Sequence, residues 1–234
     1  MNDWITVNGM VLSAMPIGEY DRRVLLLTAE LGKISAFIRG GRKTTSPLLG
    51  AGRLFAFGRF ELYAGRNAYT VKSAEILEYF EFLTADPEAV CYASYFSELA
   101  AYYGQEGSED PALLRLLFHA VRSLRNEKLE RPVIRYAYEL KLIQTEGEAA
   151  PDPLTEVGES AEKAWHYVLK TESEKCFLFR LEPAGFRDFA RAVAGLRNQM
   201  IDHSFKSLSV LEDFLSMKAM AERQAQEKKA AEEN

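Results

Sequence analysis

Two hydrophobic periods divide the chain. Between residues 4 and 76 apolar side chains come in short runs rich in Val, Ile and aromatics, separated by Gly, Pro, Asn and Asp. "WITVNGMVLS" (4–13) predicts one strand, and "PIGEYD" after it supplies turn residues. The runs Val24 to Thr28 and Ile34 to Ile38, joined across Gly32, predict a hairpin because each is too short for a buried helix. "FAFGRFELY" and "AYTVKSAEI", separated by "AGRN", predict a second hairpin made of β-forming residues. Five strands with one long irregular connection, residues 38–53, fit a small closed barrel of the oligonucleotide-binding (OB) fold type.

From Asp86 the period changes to that of helices. "DPEAVCYASYFSELAAYYG" opens with Asp86 as N-cap and Pro87 at the first helical position, carries Val90, Tyr95, Leu99 and Tyr102 as an apolar stripe, and ends at Gly104. "EDPALLRLLFHAVRSLRN" repeats that opening with Asp110 and Pro111, and "RPVIRYAYELKLIQTEG" predicts a third helix. "GEAAPDPLTEVGES" reads as a loop, followed by helices in "SAEKAWHYVLKT", "PAGFRDFARAVAGLRNQMID" and "SLSVLEDFLSM". "KAMAERQAQEKKAAEEN" has almost no apolar face, which predicts a solvated helix extension or a frayed end. The expected class is α+β: an OB-type barrel over residues 1–83, a helical domain over 84–217 and a tail over 218–234.

Composition narrows the functional classes. Hydrophobic residues make up 47% and charged residues 27% of the 234 residues, the balance of a globular protein with a sizeable core. The N-terminal stretch has no basic region, and no run approaches the apolar length of a membrane span, so a cytoplasmic protein without signal or anchor is expected. Cys91 and Cys176 both lie in apolar contexts and are expected to be buried, reduced thiols. The net charge is −5, yet residues 1–83 carry ten Lys/Arg against eight Asp/Glu, and residues 39–72 hold a single acid, Glu61. Arg39, Arg42, Lys43, Arg53, Arg59, Arg66 and Lys72 thus form a basic segment in an acidic protein. These cations either face a polyanion or pair with carboxylates of the protein itself.

Catalytic chemistry finds little support. There is no phosphate-binding loop of the GxxxxGK[ST] form and no GxSxG nucleophile turn. His119, His166 and His203 each lack a second ligand three or four residues away, so no metal is expected. Glu139, four residues after Arg135, reads as an ordinary surface helix pair. Binding fits better, since single strands are held by cations along the phosphates and by aromatic faces against the bases. Strand alternation places Phe55, Phe57, Arg59, Glu61 and Tyr63 on one side, with Leu54, Ala56, Gly58, Phe60 and Leu62 on the core side. Phe55 and Phe57 either meet a ligand or pack under the helical half, whereas Arg59, Arg66, Tyr69 and Lys72 are harder to place in a core.

The blocks "VNGMVLSAMPIGEYDRRVLLLTAELGKISAFIRGGRK", "FGRFELYAGRNAYTVKSAEILEYF", "CYASYFSEL" and "FKSLSVLEDFL", in this order, resemble the bacterial RecO family of DNA-repair mediators. The resemblance covers most of the chain outside residues 148–160 and the tail after 217. It implies a non-catalytic, nucleoid-associated protein that binds single- and double-stranded DNA without strong sequence preference and anneals complementary strands. It further implies work with RecR to load RecA on strands coated with single-strand DNA-binding protein. By position, the implied DNA surface comprises Arg22, Arg23, Lys33, Arg39, Arg42, Lys43, Arg66 and Lys72, beside Arg53, Arg59 and Tyr69 from the reading above. Arg135 is the implied contact for the acidic C-terminal tail of single-strand DNA-binding protein. Many members carry a four-cysteine zinc module where this chain reads "EGEAAPDPLTEVGES", so neither metal nor other cofactor is expected here. The rival expectation is an interaction scaffold whose acidic helical half docks partners while the barrel's cations serve internal salt bridges.

Overall fold

The computed structural model describes residues 4–65, 68–147 and 151–232, with side chains up to Glu227. Strands β1 (Trp4–Ile17), β2 (Asp21–Thr28), β3 (Gly32–Ile38), β4 (Phe57–Ala64) and β5 (Tyr69–Glu78) close into a barrel in the order β1-β2-β3-β5-β4. The long β1 serves two neighbours: Trp4 to Met10 pair with β4, and Gly9 to Ile17 pair with β2. A bulge between Val11 and Ser13 redirects it between them. The parallel pairs Ala36 with Tyr69 and Phe37 with Thr70 close the circle. Val7, Val24, Leu26, Ile34, Phe60 and Leu62 fill the interior, every second residue of their strands as the pleat requires.

Two local expectations are corrected. β1 continues through Pro16 to Ile17, and the chain turns only at Gly18, whose φ of 54° suits glycine. β4 begins at Phe57, so the alternation predicted from Leu54 fails at its first residues. There Phe55 adopts a left-handed φ of 65°, turns inward to 4% exposure and leaves Leu54 42% exposed. Both Phe55 and Phe57 pack against the helical core, and the Phe57 ring lies 4.6 Å from that of Phe118. The packing alternative is therefore the one the fold adopts.

Six helices follow: α1 (Pro87–Tyr103), α2 (Pro111–Ser123), α3 (Arg131–Thr145), α4 (Glu159–Lys170), α5 (Pro183–Met200) and α6 (Lys206–Glu232). Asp86 and Asp110 cap α1 and α2 by accepting from the N–H groups of Ala89 (3.0 Å) and Leu113 (2.9 Å). Their core is aromatic, with Tyr92, Tyr95, Phe96, Tyr138, Trp165 and Phe189 fully buried. Met10, Leu12 and Leu27 join it from the outer face of the barrel. The β2–β3 turn is stitched to the α1–α2 connection: Lys33 N–H donates to Gln105 O (3.2 Å), Gly107 N–H to Leu31 O and Asp110 N–H to Ala29 O. α6 runs unbroken past residue 217, and its residues from Ser216 to Glu227 are exposed.

The Arg135–Glu139 pair is not on the surface. Glu139 has no exposed area and accepts from Tyr95 Oη (2.8 Å), Arg135 Nε (3.0 Å) and an Arg197 guanidinium nitrogen (3.2 Å). Arg135 reaches on to Glu212 on α6 (3.1 Å). Burial works against the Arg135 charge, and the Glu139 carboxylate more than restores it, so its pKa is raised. The helical spacing of four is right, but tight packing of α1, α5 and α6 around α3 encloses the pair.

Candidate nucleic-acid interface

The basic connection is an ordered run of turns. Bonds from Gly41 N–H to Ile38 O, Lys43 to Gly40, Ser46 to Lys43, Leu49 to Ser46 and Arg53 to Gly50 follow one another along it. Gly41 and Gly50 serve packing, while Gly40 supplies a left-handed φ of 62°. A Cβ on Gly41 would lie 2.6 Å from the Ile38 side chain, and one on Gly50 would lie 2.3 Å from Tyr79 Oη. The flexibility that a glycine-rich sequence implies is thus replaced by close backbone approach.

These turns gather cations at one end of the barrel. Asp21, at the start of β2, accepts from Gly40 N–H (2.8 Å) and Arg39 (3.0 Å). The Gly40 amide first, and Arg39 with it, hold its carboxyl below the ordinary range despite partial burial. Arg42 N–H and guanidinium donate to Tyr20 O and Gly18 O, and Lys43 Nζ sits 4.9 Å from the Tyr20 ring centre. Arg22 donates to Gly52 O, and Arg23 donates to Ser35 Oγ. Among the described residues no ion pair joins Arg22, Arg23, Arg42 or Lys43 to a carboxylate. Carbonyl and hydroxyl partners orient Arg22, Arg23 and Arg42, and the Tyr20 ring orients Lys43, whose charge also helps to lower the Asp21 pKa.

The remaining predicted residues divide. Arg53 is bound by both oxygens of Glu81 (2.9 and 3.1 Å) and lies over Tyr79; that bond holds Glu81 below and Arg53 above their ordinary values. On the outer face of β1, β4 and β5, Arg59 pairs with Glu75 (3.6 Å) and Lys72 with Glu61 (3.6 Å). The Ser73 hydroxyl, then Lys72, lower the pKa of Glu61. Tyr69 is half-buried against the barrel interior, and Lys33 donates its ammonium to Ala101 O (2.6 Å) in the joint with α1. Arg66 lies outside the described residues. Arg135 is 6% exposed and committed to the buried cluster.

Aromatics accompany these cations; strand alternation places Tyr63 on the outer face but passes over Trp4, Tyr20 and Phe37. Trp4 and Tyr63, 39% and 45% exposed with rings 5.5 Å apart, form a pair on the β1–β4 face, and Lys72 Nζ lies 4.4 Å from the Trp4 ring. Tyr20 and Phe37 lie under Lys43 and Arg39. The signal for them was adjacency in "EYDRR" and "AFIRGGRK", where an aromatic stands within two residues of a cation.

Among the described residues no group of three His, Cys, Asp or Glu is placed to hold a metal ion. His166 faces Asp152 (2.8 Å), His203 stacks on Tyr102, and His119 is half-buried. Cys176 is buried, which pushes its thiol up to about 12; Cys91 is only half-buried, a correction to the buried context read for it. No described helix is long and apolar enough to cross a membrane.

Comparison with known proteins agrees with the barrel and the first helices. The family model for the recombination protein O N terminal matches residues 1–80, and that for the recombination protein O C terminal matches residues 84–150. α4, α5 and α6 lie beyond both. A DNA repair protein RecO of Alkaliphilus metalliredigens is 32% identical over 167 residues, 71% of this chain and 68% of that protein. Proteins of the same name from Desulforudis audaxviator and Clostridium novyi are 39% identical over 124 residues and 28% identical over 138. Those matches cover 53% and 59% of this chain and 50% and 54% of the relatives, about half of their length. On these matches, and on a five-stranded barrel followed by helices, the chain belongs to the RecO family of DNA-repair and recombination proteins.

Proposed function

We propose that this protein is a non-catalytic recombination mediator that grips DNA through the cationic end of its barrel. The observation that carries this reading is the group Arg22, Arg23, Arg42 and Lys43, the arginines held by carbonyls and a hydroxyl and Lys43 by the Tyr20 ring, with no ion pair to a carboxylate among the described residues. Such groups displace condensed counterions from a phosphate backbone and read no sequence, which suits single and double strands alike. Exposed Tyr20 and the Trp4–Tyr63 pair offer faces for unstacked bases. Annealing of complementary strands, and loading of RecA with RecR on strands coated with single-strand DNA-binding protein, complete the reading. The barrel over 1–83 acts as the DNA unit, the helices over 84–217 as the partner unit and 218–234 as a solvated tail. Arg135 would support the surface that receives the acidic tail of single-strand DNA-binding protein from beneath, because Glu139 and Glu212 occupy it.

The scaffold alternative draws on Arg39, Arg53, Arg59 and Lys72, all of which do pair internally. Replacing Arg39, Arg42 and Lys43 together with Gln separates the two readings. Fluorescence anisotropy with a labelled single strand should show weakening by about tenfold or more at moderate salt, equally for unrelated sequences. Unchanged affinity and salt slope would assign the loop to internal structure.

A further inference from the structure

A second concentration of unneutralised cations lies on the helical half, which is otherwise acidic. Arg115, Arg122 and Arg125, on α2 and just past its end, are exposed, and Arg115 and Arg122 lie seven residues apart on one helical face. They line two adjoining cavities of about 390 and 490 Å³ between α2 and the α4–α5 connection, both of which His119 and Glu174 also line. Lys141 enters the first cavity half-buried. Its ammonium donates only to Gln144 Oε1 (2.8 Å) and Leu169 O (3.1 Å), and burial lowers its pKa. Among the described residues no ion pair joins Arg115, Arg122, Arg125 or Lys141 to a carboxylate. Four other arginines in the same half are paired, Arg131 with Asp86 and Glu88, Arg135 with Glu139 and Glu212, Arg191 with Asp188 and Arg197 with Glu139, whereas Arg180 donates to Lys128 O and, like Arg187 and Arg223, has no ion pair among the described residues. In the first cavity Arg115 and Lys141 face Glu172 and Glu174, and in the second Arg122, Arg125 and Lys175 face Glu174 alone, so over the two together the cations are in excess.

Cations gathered in a concave site in excess of its carboxylates complement a polyanion. The same helix turns Phe118 onto Phe57 and Phe80 of the barrel, so the surface is fixed rigidly to β4 and the end of β5. The loop cations sit instead where β2 begins and β3 ends. We propose that the α2 face is a second nucleic-acid surface, which holds the phosphate backbone of another strand while the barrel loop holds the first. This rests on the DNA-binding reading above and supplies what annealing needs, two strands on one molecule.

The test uses the full chain with donor- and acceptor-labelled single strands of unrelated, non-complementary sequence. Energy transfer between them reports joint occupancy, and anisotropy reports binding of the first strand. Arg115→Glu, Arg122→Glu and Arg125→Glu combined should weaken capture of the second strand about tenfold or more, while the first strand binds within about twofold of wild type. The triple Gln variant should do the same to a lesser degree, with circular dichroism confirming that both variants fold. Joint occupancy that survives both variants, or a wild type that binds one strand and never two, overturns the α2 assignment and leaves the loop assignment standing. Absence of any strand binding by the wild type overturns both. Displacement of the second strand by a free mononucleotide as readily as by a longer strand would make the site one for small phosphates and also overturn it.

Discussion

At the scale of single residues, the groups that hold the fold are charged and partly or wholly enclosed. Glu139 is the hub, and Glu139→Gln would leave Arg197 facing a neutral amide and Arg135 with the half-exposed Glu212 as its one remaining carboxylate partner among the described residues. Breaking a buried pair in this way costs about 3 to 5 kcal/mol, so urea denaturation should show a large drop in midpoint. Asp86 works at a half-exposed position, where burial opposes its charge but Arg131 and the Ala89 amide more than compensate and lower its pKa. A depressed carboxyl contributes its stability above the ordinary carboxylate range and loses it as pH falls through the folded-state value. Asp86→Asn should therefore flatten the loss of stability between about pH 5 and pH 2, while costing about 1 kcal/mol at neutral pH. Asp86 was legible as a cap from "DPEA" alone, because capping is local chemistry. The burial of Glu139 was not, because the spacing of four that pairs it with Arg135 is the same on a surface and in a core.

Element boundaries show a similar division. The five strands, the Gly32 turn and the change to helices at Asp86 follow from hydrophobic period and turn residues, and the structure has all of them. The start of β4 did not follow, because the inward turn at Phe55 is set by the helical core that it packs against, which no window of the sequence contains. Gly32 carries more than its turn. Its φ is 62°, and an added Cβ would lie 1.9 Å from Gln105 O, so Gly32→Ala should strain the joint between barrel and helices. Gly18, with φ of 54° and open space around it, provides the control. Thermal unfolding should place Gly18→Ala at a cost of about 1 kcal/mol and Gly32→Ala well beyond it. In α6 the opposite holds: ending the chain at Lys218 keeps the exposed contact of that residue with Glu88 (2.6 Å), and residues 219–227 beyond it are all exposed. The melting temperature of that truncation should stay within a shift worth about 0.5 kcal/mol.

For the whole molecule, the sign of the net charge misleads, since the protein is acidic overall and yet carries two sets of unneutralised cations. In the sequence the basic segment spans residues 39–72, and Arg22 and Arg23 enter only through the family resemblance; which members stay free depends on three-dimensional partners. Asp21, Glu81, Glu75 and Glu61 take Arg39, Arg53, Arg59 and Lys72, and the joint with α1 takes Lys33. The α2 set escaped notice because its cavities form only when α2, α3 and the α4–α5 connection meet. The central claim is that unneutralised cations on this acidic protein engage a nucleic-acid backbone. Its most direct test is the anisotropy of a labelled, sequence-neutral single strand titrated with the wild-type protein over a series of salt concentrations. The account predicts log affinity falling linearly with log salt, at about 0.7 for each phosphate neutralised, for a total of roughly 3 from the loop cations and the groups beside them. A strand left unbound at low salt, or bound with an affinity that salt does not change, would contradict it.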